Sequence, residues 1–201
     1  MNKYFDLHFN RDVVIIYPGE FYVSSGPELI STVLGSCVSI VLYDPIAAVG
    51  GMNHYMLAKD TSPVPDKNDR LLGRFGEYAM EMLISSLEKR GAVLSRCIAK
   101  VFGGGNIFNS TTSDGKDLVG ESNIKFAFDF LRQHNIEVRS SDTGGILPRK
   151  IFFDPTNYKV FVKLIDNKNS EESKIEESKE RKQIEYLAEL NRLSKEKKKK
   201  E

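Results

Sequence analysis

Residues 31–57, STVLGSCVSIVLYDPIAAVGGMNHYML, decide how the chain is read. Cys37 to Tyr43 and Val49 to Leu57 are rich in Val, Ile, Leu and Tyr. Asp44-Pro45 between them fixes one φ and removes one donor, so the two segments are predicted to be strands joined by a short loop. An antiparallel hairpin folded about Pro45 to Ile46 brings Cys37 level with His54. Side chains directly across such a pair stand ~5 Å apart at Cβ, within reach of a thiol–imidazole hydrogen bond if both point to one face. A slip of one residue would separate them. The loop sequence does not set the register, so alignment on one face is an expectation that the structure has to meet.

A cysteine and a histidine brought together suffice for thiol chemistry. The thiolate is the nucleophile, and a free thiol with a pKa of about 8.5 needs an imidazole or an electropositive backbone beside it to react at neutral pH. His54 can supply the first. The turn Gly35-Ser36-Cys37 can supply the second, because a glycine without Cβ lets backbone N–H groups approach a reacting carbonyl as an oxyanion hole. On residue type alone the pair reads more readily as packing, since free cysteine is among the most buried residue types.

Outward from this stretch, Val13 to Tyr22, interrupted by Pro18-Gly19, reads as one or two short strands, with His8 before them on the surface. Ala58 to Asp69, with Pro63 and Pro65, is a loop. Leu71, Leu72, Phe75, Ala79, Met80, Leu83, Ile84 and Leu87 recur at helical spacing, and Lys89-Arg90-Gly91 supplies a cationic last turn and a glycine stop. Cys97 to Phe102 reads as a strand ending in Gly103-Gly104-Gly105-Asn106, with Cys97 a buried small hydrophobe. No G-K-[ST] follows these glycines, which removes the phosphate-loop reading. A tight turn there, with Phe102, Gly103, Gly104 and a nearby Phe108, is a candidate partner surface. Asn109 to Lys116 reads as a loop, and Ser122 is expected to cap a helix running to about His134, with Ile124, Ala127, Phe128 and Leu131 inward and Asn135 in its C-terminal turn. Ile136 to Ser140, Lys150 to Phe153 and Lys159 to Ile165 read as three further strands.

Strands that outnumber helices and do not alternate with them favour a mixed α/β sandwich of mixed sheets with flanking helices over a doubly wound sheet. The chain of 201 residues, 40% hydrophobic, is long enough for one globular domain, taken as 1–166. Beyond it, 167–201 turn abruptly to Glu, Lys and Ser and end in a lysine run. That segment is expected to be a disordered or weakly helical charged tail, with Ile184, Leu187, Leu190 and Leu193 as a weak stripe. A net charge of +1 gives no electrostatic argument for nucleic acid, and no apolar run is long enough for a membrane span, which makes the cytoplasm the expected location. Two cysteines without C-x-x-C, and three scattered histidines, suggest neither a disulfide framework nor a metal site.

The segment L-G-S-C-V at 34–38, followed by Gly50-Gly51, His54 and Leu57, resembles the signature of the CheD family, the chemoreceptor glutamine deamidases of bacterial chemotaxis. The resemblance runs from about Pro18 to Leu164 and includes Arg74-Phe75-Gly76-Glu77-Tyr78-Ala79-Met80, Lys100-Val101-Phe102-Gly103-Gly104, Val119-Gly120 with Asn123, Asp142-Thr143-Gly144-Gly145 and Pro148-Arg149-Lys150. It implies that Cys37 is the nucleophile and His54 its base. It also implies a hydroxyl residue shortly before the cysteine that orients the imidazole. Ser31 and Thr32 both lie in that window; residue type favours Thr32, and spacing suits Ser31 equally. The chain departs from the family pattern at Leu57-Ala58, where the family has Leu-Pro, and at Ser122, where it tends to carry an arginine.

The implied reaction hydrolyses the side-chain amide of glutamines in methyl-accepting chemotaxis receptors through a Cys37 thioester, with no cofactor. The implied partners are those receptors, through their cytoplasmic helical bundle, and a CheC-like phosphatase. Two alternatives stay open: a binding module for that phosphatase, and a receptor methylesterase, since a thiolate can attack amide or ester.

Overall fold

The computed structural model describes residues 1–59, 72–106 and 119–165. The chain divides into a compact unit, Met1–Leu164, and a second beginning at Ile165. The expected tail, most of the loop at 58–69, the polar run at 109–116, Leu71 and Phe108 lie outside the described residues.

Two five-stranded mixed sheets form the unit. The first runs β1 (Asn2–Asp6), β2 (Arg11–Ile15), β4 (Leu29–Leu34), β9 (Arg149–Asp154), β10 (Lys159–Leu164), with only β2 and β4 parallel. The second runs β3 (Phe21–Ser24), β6 (Val49–Asn53), β5 (Val38–Asp44), β7 (Ile98–Gly103), β8 (Glu137–Thr143), with only β7 and β8 parallel. The mixed α/β sandwich expected from the sequence is therefore the fold. Between the sheets, Ile30, Leu34, Ile151 and Phe153 of the first meet Val41, Met52 and Phe102 of the second. Both helices, α1 (Gly76–Glu88) and α2 (Val119–Gln133), cover the other face of the second sheet, where Ala79, Met80, Leu83, Leu87, Ala127 and Leu131 pack on Val38, Ile40, Leu42, Ala99 and Val101. No described helix is long and apolar enough to cross a membrane.

The hairpin that orders this core closes one residue later than expected. Asp44, fully buried, accepts the N–H groups of Ile46 and Ala47 through one carboxylate oxygen and holds Arg96 and the N–H of Val93 through the other. Ala48 takes a left-handed φ of 51°, and the loop spans 45–48, so Asp44 pairs with Val49. The arginine and these donors hold the Asp44 carboxyl down at about 2 against the opposing effect of burial.

Four sequence expectations need correction. The second strand ends at Asn53 instead of running to Leu57: Tyr55 keeps an isolated bridge to Val38, but Met56 and Leu57 donate their backbone N–H groups to Arg74. The second helix begins at Val119, so Ser122 lies within it, exposed, and does not cap it. The strands β1 and β4 were not anticipated. The first helix keeps Ala79, Met80, Leu83 and Leu87 of its expected inner stripe, but it begins only at Gly76, with Leu72 in a short 3-10 helix before it and Phe75 at its N-cap; Gly91, at φ 90°, stops it.

Candidate active site

Between β4 and β5 the chain passes from one sheet to the other, and Gly35, Ser36 and Cys37 make that crossing. Each carbonyl of the crossing is held: Gly35 accepts from Gly105 N–H at 2.7 Å, Ser36 from Asn123 Nδ2 at 3.0 Å, and Cys37 from Gly104 N–H at 2.7 Å. Three carbonyls fixed in this way fix the planes of the peptides that carry them. The approach is close enough to require glycine, since a Cβ on Gly103, at φ 104°, would stand 2.2 Å from the Cys37 carbonyl oxygen. Behind it the loop after β8 closes the stack: Gly144 N–H donates to Gly103, and Asn106 N–H donates to Gly145. Arg149, buried, ties that loop down through the Asp142 carboxylate and the carbonyls of Asp142 and Gly144.

This arrangement corrects the candidate surface. Phe102 is only 4% exposed and packs between the sheets in the same cluster as Cys37, while Gly103 and Gly104 are buried. β5 and β8 close both edges of β7, and its two faces are covered by the first sheet and by the helices.

Cys37 and His54 do share a face, though not as direct partners. The β5–β6 register pairs Val41 with Met52, and the isolated bridge Val38–Tyr55 continues it without a slip. Met56 therefore faces Cys37, and Ser39 faces His54. The two residues are diagonal neighbours, a relation of about 7 Å in Cα terms that remains within reach of long side chains. The backbone of His54 is clamped from the other side: its N–H donates to Glu20, and its carbonyl accepts from Gly19 at 2.7 Å.

Period-two alternation in β4 settles which hydroxyl meets the ring. Ile30 and Leu34 point between the sheets, and so does Thr32 between them; Leu29 belongs to the cluster on the outer face, and Ser31 shares its parity. Thr32 Oγ1 lies 2.7 Å from His54 Nδ1 and 2.8 Å from the Ile16 carbonyl oxygen. A hydroxyl has one proton, and the carbonyl can only accept it. Thr32 therefore donates to Ile16 and accepts from Nδ1–H, which leaves the lone pair of the neutral ring on Nε2. Ser31 Oγ, in contrast, is buried without a hydrogen-bond partner among the described residues.

His54 is 2% exposed, and burial pushes its imidazole down to about 3, so the neutral ring persists at physiological pH. Its Nε2 is buried with no hydrogen-bond partner among the described residues. Cys37 and Cys97 are both buried, but Cys97 sits at the far end of β7, where its thiol approaches the Val93 carbonyl and burial raises it to about 11. Asn123 was visible in the sequence only as one residue of the family pattern. In the structure it touches both the Cys37 turn and the segment after His54.

The family profile described as CheD chemotactic sensory transduction matches residues 56–164. The chain is 42% identical over 164 residues to the probable chemoreceptor glutamine deamidase CheD 1 of Shewanella oneidensis, covering 82% of this chain and 78% of that one. It is 43% identical over 169 residues to the probable chemoreceptor glutamine deamidase CheD of Janthinobacterium sp., covering 84% and 81% of the two chains. It is also 43% identical over 169 residues to the relative of the same name from Thiobacillus denitrificans, covering 84% and 82%.

Proposed function

The chain belongs to the CheD family, and on that premise we propose that it deamidates glutamine side chains of methyl-accepting chemotaxis receptors, with Cys37 as nucleophile and His54 as base. The observation that carries this reading is the Thr32–His54 clasp, which presents an unprotonated Nε2 on the face that Cys37 shares.

In the first step Cys37 Sγ bonds to the carboxamide carbon as its proton passes to His54 Nε2, and the carbonyl π pair moves onto oxygen. The N–H groups of the Gly35–Cys37 crossing receive that oxyanion, since the carbonyls of the same peptides are engaged elsewhere. Collapse of the tetrahedral intermediate breaks the C–N bond, and the proton on His54 leaves with the nitrogen as ammonia. Water then attacks the thioester, giving its proton to Nε2; the C–S bond breaks, the thiol takes that proton back, and glutamate remains. Thr32 keeps the ring in one tautomer through both steps and stabilises the imidazolium that forms between them. A CheC-like phosphatase is the proposed second partner, on the strength of family membership alone.

Mass spectrometry of receptor fragments after incubation tests the reaction. Deamidation raises a glutamine peptide by about one mass unit, whereas removal of a methyl ester lowers it by about fourteen. A gain at glutamines, with released ammonia in equal amount, is expected. A loss at methylated positions with no gain elsewhere would make the protein an esterase, and binding with neither change would make it a binding module.

A further inference from the structure

The β5–β6 ladder gives out beside Cys37, and Asn123 stands where it does so. Its last rung joins Val38 and Tyr55 through N–H···O bonds of 3.1 and 3.0 Å. In the same register the next rung would join Ser36 to Leu57. It is never made, because the N–H groups of Met56 and Leu57 both turn to the Arg74 carbonyl, at 2.8 and 3.0 Å. The Asn123 side chain fills the gap: Nδ2 donates to the Ser36 carbonyl at 3.0 Å and to the Met56 carbonyl at 2.8 Å. One planar amide thus bridges the residue before Cys37 and the residue that faces Cys37 across the ladder.

The fork itself is firmly seated. The Tyr55 hydroxyl donates to the Asn123 carbonyl at 2.8 Å, which ties the fork to the residue after His54. One turn earlier in α2, Gly120 packs so closely on the glycine turn that a Cβ there would lie 2.5 Å from the Gly104 oxygen. Asn123 is fully buried, yet its own Oδ1 has no hydrogen-bond partner among the described residues. A buried acceptor left unpaired carries the full desolvation penalty of that group. An apolar side chain would avoid that cost but could not donate to both carbonyls, so the double donation is what the position retains.

We propose that Asn123 is a positioning residue for the reaction: its amide fork sets the separation between the Cys37 turn and the segment after His54, and thereby the reach from Cys37 Sγ to His54 Nε2. The proposal rests on the roles given to Cys37 and His54 above. Substrate need not touch Asn123, so its loss acts on kcat with little change in KM.

The test uses the full chain carrying Cys97→Ala, so that only Cys37 reacts with iodoacetamide. Asn123→Asp keeps the shape and removes both donors; Asn123→Ala removes the fork without adding charge. In each, alkylation is followed from pH 5 to 9, with thermal melting and receptor-fragment kinetics alongside. Displacement of reacting groups by about 1 Å costs on the order of 100-fold, so kcat is expected to fall ten- to a hundredfold with KM within threefold. Alkylation at pH 7 should slow, with its pH profile displaced upward. Folded variants that keep the parental alkylation profile and kcat within twofold overturn the proposal. Failure of both variants to fold overturns it too, by making Asn123 a residue of the fold alone. The alkylation arm needs no receptor, so it stands even if no receptor glutamine is converted, the outcome that would instead remove the deamidase reading.

Discussion

Thr32→Val is the most revealing single substitution, because it keeps the side-chain shape and deletes only the hydroxyl. In the folded protein that hydroxyl makes two bonds, to the Ile16 carbonyl and to His54 Nδ1, both in the dry space between the sheets. Removing it leaves two buried polar groups without this partner, at about 1–3 kcal/mol each, so a stability loss of about 2–6 kcal/mol is expected. The ring also loses the acceptor that fixes its tautomer, a bond worth about 1–2 kcal/mol, which corresponds to about a five- to thirtyfold fall in kcat. Thr32→Ser restores the hydroxyl and should keep the rate within about threefold of the parent. Ser31→Ala, one residue away, removes an oxygen that has no hydrogen-bond partner among the described residues and should leave both melting and rate unchanged or improve the melting. The assay is denaturant unfolding with steady-state ammonia release on receptor fragments. Equal losses at Ser31 and Thr32, or a folded Thr32→Val with full kcat, would refute the tautomer argument.

Acid should destabilise the protein in two stages. The His54 imidazole, at about 3 in the folded state and about 6.5 unfolded, lets the unfolded chain bind the extra proton between those values, so stability falls by about 1.4 kcal/mol per pH unit as pH drops below 6.5. Asp44 and Asp154, both held at about 2, add a second loss from about pH 4 downward. Melting scans from pH 8 to 3 read both stages, and His54→Gln should flatten the slope between pH 6.5 and 4; an unchanged slope in that variant would remove His54 as its source. Gly103→Ala, with its Cβ driven into the Cys37 carbonyl at a φ of 104°, should cost more than about 2 kcal/mol in unfolding experiments and lower turnover together with it; a neutral result would mean the turn relaxes freely. Phe102→Glu should melt at least ~10 °C lower or fail to fold, since a carboxylate would enter the space between the sheets; a folded variant with unchanged melting would contradict the burial of Phe102.

The hairpin explains both what was legible in the sequence and what was not. Its strands follow from Val, Ile and Leu runs, and its turn from Asp44-Pro45, but the turn centre was expected one residue early because the loop depends on Asp44 reaching back to Ile46 and Ala47. A shift of one residue in the turn centre moves the pairing by two, and the side-chain period is two. Cys37 and His54 therefore kept a common face while their direct partners became Met56 and Ser39. The choice between Ser31 and Thr32 needed β4, which was not foreseen; once a strand is granted, Ile30 and Leu34 identify Thr32 by parity. Phe102 misled because a strand end beside three glycines looks exposed, and only the pairing with β8 shows it enclosed. Nothing local in the sequence distinguishes Asn123 from any polar helical residue, for its partners lie 87 and 67 positions away.

The account stands most directly on one comparison: receptor fragments incubated in parallel with the parent protein, Cys37→Ala and Cys97→Ala, with ammonia release and glutamine-to-glutamate conversion followed together and folding checked by circular dichroism. It predicts equal amounts of ammonia and new glutamate from the parent, most of that rate from Cys97→Ala, and none from Cys37→Ala. Conversion by folded Cys37→Ala at the parental rate, or equal loss in both cysteine variants, would contradict it.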